Sequence, residues 1–206
     1  LHTVPGSYKD QVAEFRELFV DACKIRMRAD VPMGTALSGG VDSTATICSM
    51  AHVARKMPER RFSNDWQHAF VASMPGTPLD ETRYAKMVTD YLDIPATFTE
   101  IDPVTGIEKL EDYLFQAEEL YITSPVPMVE TYRAARQQGV KVTLDGHGAD
   151  ELFSGYDTFM FWLFKDCGLN PFAISRILKT YRGLVSENGP QFKQKKTGFF
   201  NYLDYN

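Results

Sequence analysis

The segment from Ser38 to Ser43, Ser-Gly-Gly-Val-Asp-Ser, constrains the fold of this chain more than any other. It joins a short apolar stretch to a stretch with helical periodicity. Two adjacent glycines let the backbone turn sharply and approach a bound ligand closely. The helix that follows begins at about Asp42 and directs its unpaired N–H groups at the same space, where an anion is favoured. The sequence therefore predicts a strand, an anion-binding loop and a helix in succession.

The side chains of this segment, called the phosphate loop below, indicate which anion it binds. Ser38 and Ser43 add hydroxyl donors, whereas the carboxylate of Asp42 repels phosphate unless a cation lies between them. Donors and a carboxylate together predict a metal-bound polyphosphate, with magnesium pyrophosphate of ATP as the expected ligand. The Gly-Lys-Ser/Thr ending of a Walker A loop is missing. The alternative is a glycine turn that only caps a helix.

Three segments carry a resemblance to a known family. The phosphate loop with its lead-in from Asp30 to Leu37 resembles the pyrophosphate-loop segment of asparagine synthetases. The segment from Leu144 to Tyr156, called the second signature below, resembles the second motif of that family. Between them, the segment from Ser73 to Pro78 resembles the part of the family that follows its second strand. The segments occur in the order that the family has.

Strands and helices are predicted to alternate along the chain. Helices are predicted at about 8–29, 42–57, 79–92, 103–118 and 127–138, and strands at about 33–37, 68–73, 96–101 and 140–144. This order predicts an α/β fold with an open parallel sheet, whose ligand binds beyond the carboxyl ends of the strands near the switch in strand order. The resemblance implies the three-layer sandwich of the adenine-nucleotide alpha-hydrolase type. The helix at 79–92 is predicted to bury Tyr84, Met87, Val88 and Tyr91.

Bulk properties exclude several classes of function. A chain of 206 residues with a net charge of −5 predicts one domain without a general nucleic-acid surface. The most apolar run, 159–164, is too short to span a bilayer, so no membrane partner is expected. Three scattered cysteines without Cys-x-x-Cys spacing predict reduced thiols in a cytoplasmic protein.

The resemblance implies a role for individual residues. ATP would be bound by Leu37, Ser38, Gly39, Gly40, Val41, Asp42, Ser43, Ala72, Asp145 and Gly146. Within this set Leu37 and Ala72 would line the adenine pocket, although both are otherwise ordinary core residues. Asp145 and Gly146 would approach the nucleotide with backbone groups. Asp42 and Asp150 would hold Mg²⁺ beside the phosphates, and a helix cap is the alternative role of Asp150.

His147 departs from the family pattern. Glutamate is usual at this position in asparagine synthetases, and tyrosine is found in the related β-lactam-forming enzymes. Histidine accepts a proton near neutral pH, so His147 is the candidate catalytic residue, with a structural role as the alternative. The substitution also leaves open which carboxylic acid is the substrate.

The reaction that the resemblance implies is ATP-dependent amide formation. A carboxylate attacks ATP to give an acyl-adenylate and pyrophosphate, and ammonia or an amine then displaces AMP. Residues 1–206 are expected to form the synthetase domain of a longer chain that also has a C-terminal part. A glutaminase domain in cis or a separate subunit would supply ammonia, and a homodimer is compatible with the resemblance. The alternatives are a non-catalytic nucleotide-binding domain and another pyrophosphate-loop ligase, such as a β-lactam-forming or peptide-cyclising enzyme.

Overall fold

The computed structural model describes residues 4–56, 67–118, 125–153, 155–168 and 170–187. Two compact units make up the chain, residues 1–147 and residues 148–206, and each has its own elements. Residues 58–67 are polar and charged and are predicted to form an exposed connection; they lie almost entirely outside the described residues, as does the chain after residue 187. The prediction that residues 1–206 form one synthetase domain stays a prediction.

The first unit alternates helices with short strands. Its described elements are α1 (Tyr8–Arg26), β1 (Met33–Ala36), α2 (Val41–Lys56), β2 (Ala69–Ser73), α3 (Thr82–Leu92), β3 (Ala96–Glu100), α4 (Pro103–Glu108), α5 (Leu110–Ala117), α6 (Val126–Gln137) and β4 (Val142–Thr143). The second unit contains α7 (Ala149–Phe153), α8 (Asp157–Cys167) and α9 (Pro171–Glu187). Across the described residues, no helix combines the length and the apolar character needed to cross a membrane.

The four strands form a parallel sheet in the order β3-β2-β1-β4. The predicted parallel α/β fold is therefore confirmed. The chain runs outward from β1 through β2 to β3, and then returns to place β4 on the other side of β1. The strand order thus reverses between β1 and β4, and this is where ligands bind in open α/β sheets.

Alternate residues of β2 show that helices cover both faces of this sheet. Ala69 and Val71 pack in one core cluster with Leu37, with Ile47 of α2 and with Ala85 of α3. Phe70 points to the opposite face and packs against Ala134 and Ala135 of α6. Because side chains alternate along a strand, the two clusters lie on opposite faces. The predicted three-layer arrangement is confirmed.

The buried face of α3 differs from the prediction. Tyr84, Met87 and Tyr91 are exposed, and the buried residues of α3 are Ala85, Thr89 and Leu92. Val88 is the one member of the predicted set that packs against the core, beside the first cluster. The prediction followed the largest apolar side chains, whereas α3 packs through its smaller ones.

Two other elements differ in length from the prediction. The helix predicted at 103–118 is divided at Lys109 into α4 and α5. The carboxylate of Asp102 caps α4 by accepting hydrogen bonds from the N–H groups of Val104 and Thr105. The strand predicted at 140–144 is reduced to β4, because Val140 packs with Phe70 and α6 before the strand begins.

Candidate functional site

The phosphate loop follows β1 directly and is shaped by its two serines. The Ser38 hydroxyl accepts a hydrogen bond from the Gly40 N–H at 3.1 Å and lies 3.0 Å from the Ser43 hydroxyl. The Ser43 hydroxyl also accepts from the Ser38 N–H at 3.3 Å. These bonds join the two ends of the loop and hold the turn in shape.

Gly39 allows α3 to approach the loop. Its φ is +90°, a backbone conformation that residues with a side chain rarely adopt. A Cβ built on Gly39 would lie 2.7 Å from the backbone nitrogen of Ala85 and 2.8 Å from the Cβ of Tyr84. Glycine is therefore required at position 39 for two reasons: the backbone conformation of the loop and the close approach of the first helical turn of α3.

The second signature reaches the phosphate loop at Gly146. A Cβ on Gly146 would lie 2.6 Å from the Ser43 backbone nitrogen and 2.7 Å from the Asp42 carbonyl carbon. Two segments far apart in sequence thus meet backbone to backbone where α2 begins. The loops after β1 and β4 lie on either side of the reversal in strand order, as the sequence predicts.

The side chain of Asp145 joins three elements of the fold. Its Oδ1 accepts from the Ala36 N–H of β1 at 2.6 Å, and its Oδ2 accepts from the Tyr132 hydroxyl of α6 at 2.8 Å. Oδ2 also accepts from the Thr143 hydroxyl of β4 at 2.7 Å. The sequence indicated a role for the Asp145 backbone and missed this role of its carboxylate.

The two residues predicted to line the adenine pocket differ in burial. Leu37 is 1% exposed and belongs to the core cluster of α2 and α3, so its side chain is part of the core. Ala72 is partly buried and packs on the opposite face of the sheet, beside Ile101, Tyr113 and Val126. Their contact with adenine stays a prediction.

The metal site stays a prediction as well, because Asp42 belongs to the first unit and Asp150 to the second. Asp42 lies partly buried in the first turn of α2, directly after the phosphate loop, and Asp150 lies in the first turn of α7. The described residues hold no cluster of three or more metal-ligating side chains. Mg²⁺ needs only one or two carboxylates beside substrate phosphates and water, so the chemistry of the Asp42 carboxylate fits it.

His147 lies at the end of the first unit and is largely exposed to solvent. Its side chain is 73% exposed, and its Nδ1 lies 4.0 Å from Oδ2 of Asp145.

Thr44, in the first turn of α2, was not singled out from the sequence. Its Oγ1 is buried and has no hydrogen-bond partner among the residues that the structure describes.

The segment after β2 is held by Asp80, another residue that the sequence did not indicate. Its carboxylate accepts hydrogen bonds from the Met74 N–H at 3.1 Å and from the hydroxyl and N–H of Thr82. The Thr82 hydroxyl, followed by the Met74 N–H, lowers the pKa of Asp80. The carboxylate thereby ties the start of the segment from Ser73 to Pro78 to the first turn of α3.

The hydrogen bonds of Asp80 predict that the free energy of unfolding falls at acid pH. Because the pKa of Asp80 is lower in the folded chain than its ordinary value of 3.8, ionised Asp80 stabilises the fold above that pH. The stabilisation is lost as the pH falls through the lowered pKa. In urea unfolding between pH 7 and pH 2, Asp80→Asn should unfold more easily than the wild type at pH 7, and the difference should vanish at the acid end.

The matched control for Asp80 is Asp90→Asn, which removes an exposed carboxylate paired with Lys86 on the same helix. This variant should follow the wild type across the pH range, since exposed ion pairs contribute little. Equal pH dependence of Asp80→Asn and the wild type would show that the Asp80 hydrogen bonds do not stabilise the fold.

The sequence comparisons with known proteins agree on one family. A family model described as asparagine synthase matches residues 14–195. The chain is 32% identical over 160 residues to a glutamine-hydrolyzing asparagine synthetase of Asparagus officinalis, covering 75% of this chain and 26% of that protein. It is 29% identical over 158 residues to asparagine synthetase B of Escherichia coli (strain K12), covering 72% and 28%. The resemblance predicted from the three segments is confirmed.

The chain spans about a quarter of the length of the curated relatives that it matches. Among solved structures, it is similar to the NH3-dependent NAD synthetase of Campylobacter jejuni, with a TM-score of 0.45 and 16% identity over 70% of this chain and 60% of that one. An NAD+ synthetase of Burkholderia pseudomallei gives a TM-score of 0.44 and 11% identity, over 74% of this chain and 68% of that one.

Proposed function

This chain belongs to the asparagine synthase family, and from that premise we propose that it is the synthetase part of an ATP-dependent ligase that forms amide bonds. The substrate carboxylate attacks the α-phosphorus of ATP, which gives an acyl-adenylate and releases pyrophosphate. Ammonia or an amine then displaces AMP. Neither step needs a covalent bond to the protein, so the task of the site is to bind, orient and neutralise charge.

One observation carries this proposal. The phosphate loop and the start of the second signature follow β1 and β4, and Gly146 lies against the backbone of Asp42 and Ser43. The contact brings a second backbone segment against a glycine-rich turn and the first turn of a helix. That combination favours a nucleotide polyphosphate.

Within the site, each group has a task that follows from its chemistry. The loop N–H groups with Ser38 and Ser43 bind the phosphates that leave as pyrophosphate. Asp42 and Asp150 would hold Mg²⁺, which neutralises charge on that leaving group when bound. Because the Leu37 side chain is fully buried, we place its backbone, together with Ala72, Asp145 and Gly146, beside the nucleoside.

We base the proposed carboxylic acid substrate and nitrogen donor on the family. The relatives named above are described as glutamine-hydrolyzing asparagine synthetases, so we take L-aspartate as the first acid and glutamine-derived ammonia as the first donor. A glutaminase domain in cis or a separate subunit would release that ammonia. Use of ATP and free cysteine thiols favour the cytoplasm.

The histidine at position 147 favours a second candidate function. Where the family has glutamate, this chain presents an exposed imidazole. An imidazole in place of a carboxylate changes the shape and the hydrogen-bonding groups that meet the nucleophile. The candidate is therefore a ligase whose acid and amine are not aspartate and ammonia, such as a β-amino acid that closes a ring or a peptide that cyclises.

ATP–pyrophosphate exchange tests the proposal on the purified chain with Mg²⁺. Labelled pyrophosphate should enter ATP only when an acid that the site accepts is present, because exchange reports the adenylate. The panel contains L-aspartate, a sugar acid, a peptide with an acidic side chain and a β-amino acid. Ammonium chloride added to the active acid should then yield amide and AMP.

The controls separate the competing functions. Omission of the acid should abolish exchange, which excludes simple ATP hydrolysis. Exchange with L-aspartate supports the family reaction, and exchange with another acid alone supports the second candidate. ATP binding without exchange for any acid would contradict the ligase proposal and indicate a non-catalytic nucleotide-binding domain.

A further inference from the structure

The carboxylate of Asp145 is largely buried and is held by hydrogen bonds from three elements of the fold. It is 10% exposed and accepts hydrogen bonds from β1, β4 and α6, through Ala36, Thr143 and Tyr132. Three donors on three elements fix both its position and its rotation. Burial of a carboxylate is costly, so its retention beside the phosphate loop calls for a function that a neutral side chain would not serve.

Asp145 still has room for one further donor. An ionised carboxylate offers about two acceptor positions on each oxygen. Oδ2 already accepts from Tyr132 and Thr143, whereas Oδ1 accepts from Ala36, so the open position is on Oδ1. The His147 Nδ1 lies 4.0 Å from Oδ2, beyond hydrogen-bond distance, and the exposed imidazole has to rotate toward Oδ1 to donate. Hydrogen bonds between catalytic groups are often long before substrate binds.

We propose that Asp145 is the positioning residue of His147, an inference that rests on the proposed function. The carboxylate accepts the Nδ1–H of the neutral imidazole and thereby selects the tautomer whose Nε2 is free to accept a proton. Asp145 then also stabilises the imidazolium that forms. A carboxylate that orients a histidine base in this way acts through the histidine and does not touch the substrate.

The step that this pair serves is attack on the acyl-adenylate. The amine nitrogen forms the C–N bond, and the C–O bond to AMP breaks with its electron pair on the AMP phosphate oxygen. The proton lost by the amine passes to Nε2 of His147. From there it leaves to water, to which the imidazole is exposed. Formation of the adenylate itself involves no such proton transfer, so it does not depend on the pair.

The decisive experiment measures the tautomer directly on the full chain and needs no substrate. Long-range ¹H–¹⁵N NMR spectra distinguish the two neutral forms of a histidine, and His147→Ala identifies the signal. At a pH where the imidazole is neutral, the wild type should show the Nδ1–H form. Asp145→Asn should convert it to the Nε2–H form that a free imidazole prefers.

A second variant separates positioning from loosening of the fold. Thr143→Val removes one donor to Oδ2 but leaves the carboxylate on Ala36 and Tyr132, so the Nδ1–H form should persist. The proposal is wrong if the wild type already shows the Nε2–H form, or if Asp145→Asn leaves the tautomer unchanged. An equal effect of Thr143→Val would also overturn it in favour of a structural role.

Kinetics with L-aspartate and ammonium chloride provide the functional readout. Asp145→Asn should lower kcat for amide formation by about 10- to 100-fold, and His147→Ala by about 100-fold or more. Pyrophosphate exchange should fall less than amide formation in both variants. Because Asp145 acts through His147, adding Asp145→Asn to His147→Ala should lower kcat for amide formation much less than Asp145→Asn does in the wild type.

Failure of this proposal is distinguishable from failure of the proposed function. A wild type that performs no exchange contradicts the ligase function, while the tautomer still decides on the pair. A wild type that performs exchange, with amide formation unchanged in Asp145→Asn, contradicts the pair alone.

Discussion

Asp42→Ala and Asp150→Ala should each lower ATP–pyrophosphate exchange at least about 100-fold, the usual cost of losing one group that stabilises transition-state charge. Both carboxylates are proposed to hold the cation that screens the phosphates. Neither lies in the apolar core clusters, and each occupies the first turn of its helix. Loss of a charge there costs about 0.3–1 kcal/mol of stability, so the variants should stay folded.

The comparison variants make this result specific. Asp42→Asn and Asp150→Asn keep the side-chain shape and remove the charge, and they should be nearly as inactive as the alanine variants. Asp90→Asn removes an exposed carboxylate on α3 and should retain wild-type exchange. Affinity for ATP, measured with and without Mg²⁺, should lose its dependence on the cation in both alanine variants. Wild-type exchange in either alanine variant would rule out the two-aspartate site.

The parallel sheet could be predicted from the sequence because local patterns determine its strands and helices. Short apolar runs predict buried parallel strands, and each is followed by a helical repeat that has to cross back over the sheet. The glycines of the phosphate loop indicate where β1 ends. The place of β4 beside β1 was not predicted, because no local pattern indicates which strands pair.

The buried face of α3 could not be predicted from hydrophobicity because a close approach determines it. The backbone nitrogen of Ala85 lies where a Cβ on Gly39 would be, within 2.7 Å. The Tyr84 Cβ lies 2.8 Å from the same point, so the first turn of α3 meets the loop through backbone and Cβ atoms. With α3 held in this orientation, Ala85 is buried, whereas Tyr84 and Met87 are exposed although they are the larger apolar residues.

The polar side chains that organise the site were missed for a related reason. The bond from the Ala36 N–H to Asp145 joins positions 109 residues apart, and nothing in either local pattern indicates it. Asp80 acts through Met74 and Thr82, a local arrangement that resembles an ordinary loop in sequence. A sequence motif identifies residues that bind the ligand directly. The side chains that hold those residues in place, such as Asp145 and Asp80, are determined by tertiary contacts that the motif does not show.

Gly146→Ala should impair the ATP site. Its Cβ would lie 2.6 Å from the Ser43 nitrogen and 2.7 Å from the Asp42 carbonyl carbon, both of them backbone atoms. Backbone cannot rotate away as a side chain can, so the start of α2 and the second signature must separate. Overpacking of this kind costs about 1–3 kcal/mol. The KM for ATP in the exchange reaction should rise at least about 10-fold.

Gly139→Ala is the matched control, since it separates loss of stability from loss of the site. Gly139 has a φ of +77°, and no described atom lies within 4 Å of an added Cβ. Alanine there strains the backbone by about 1–2 kcal/mol without displacing either loop. Both variants should melt at lower temperature, yet only Gly146→Ala should weaken ATP binding. An unchanged KM for ATP in Gly146→Ala, or an equal rise in Gly139→Ala, would show that the contact between the phosphate loop and the second signature does not form the nucleotide site.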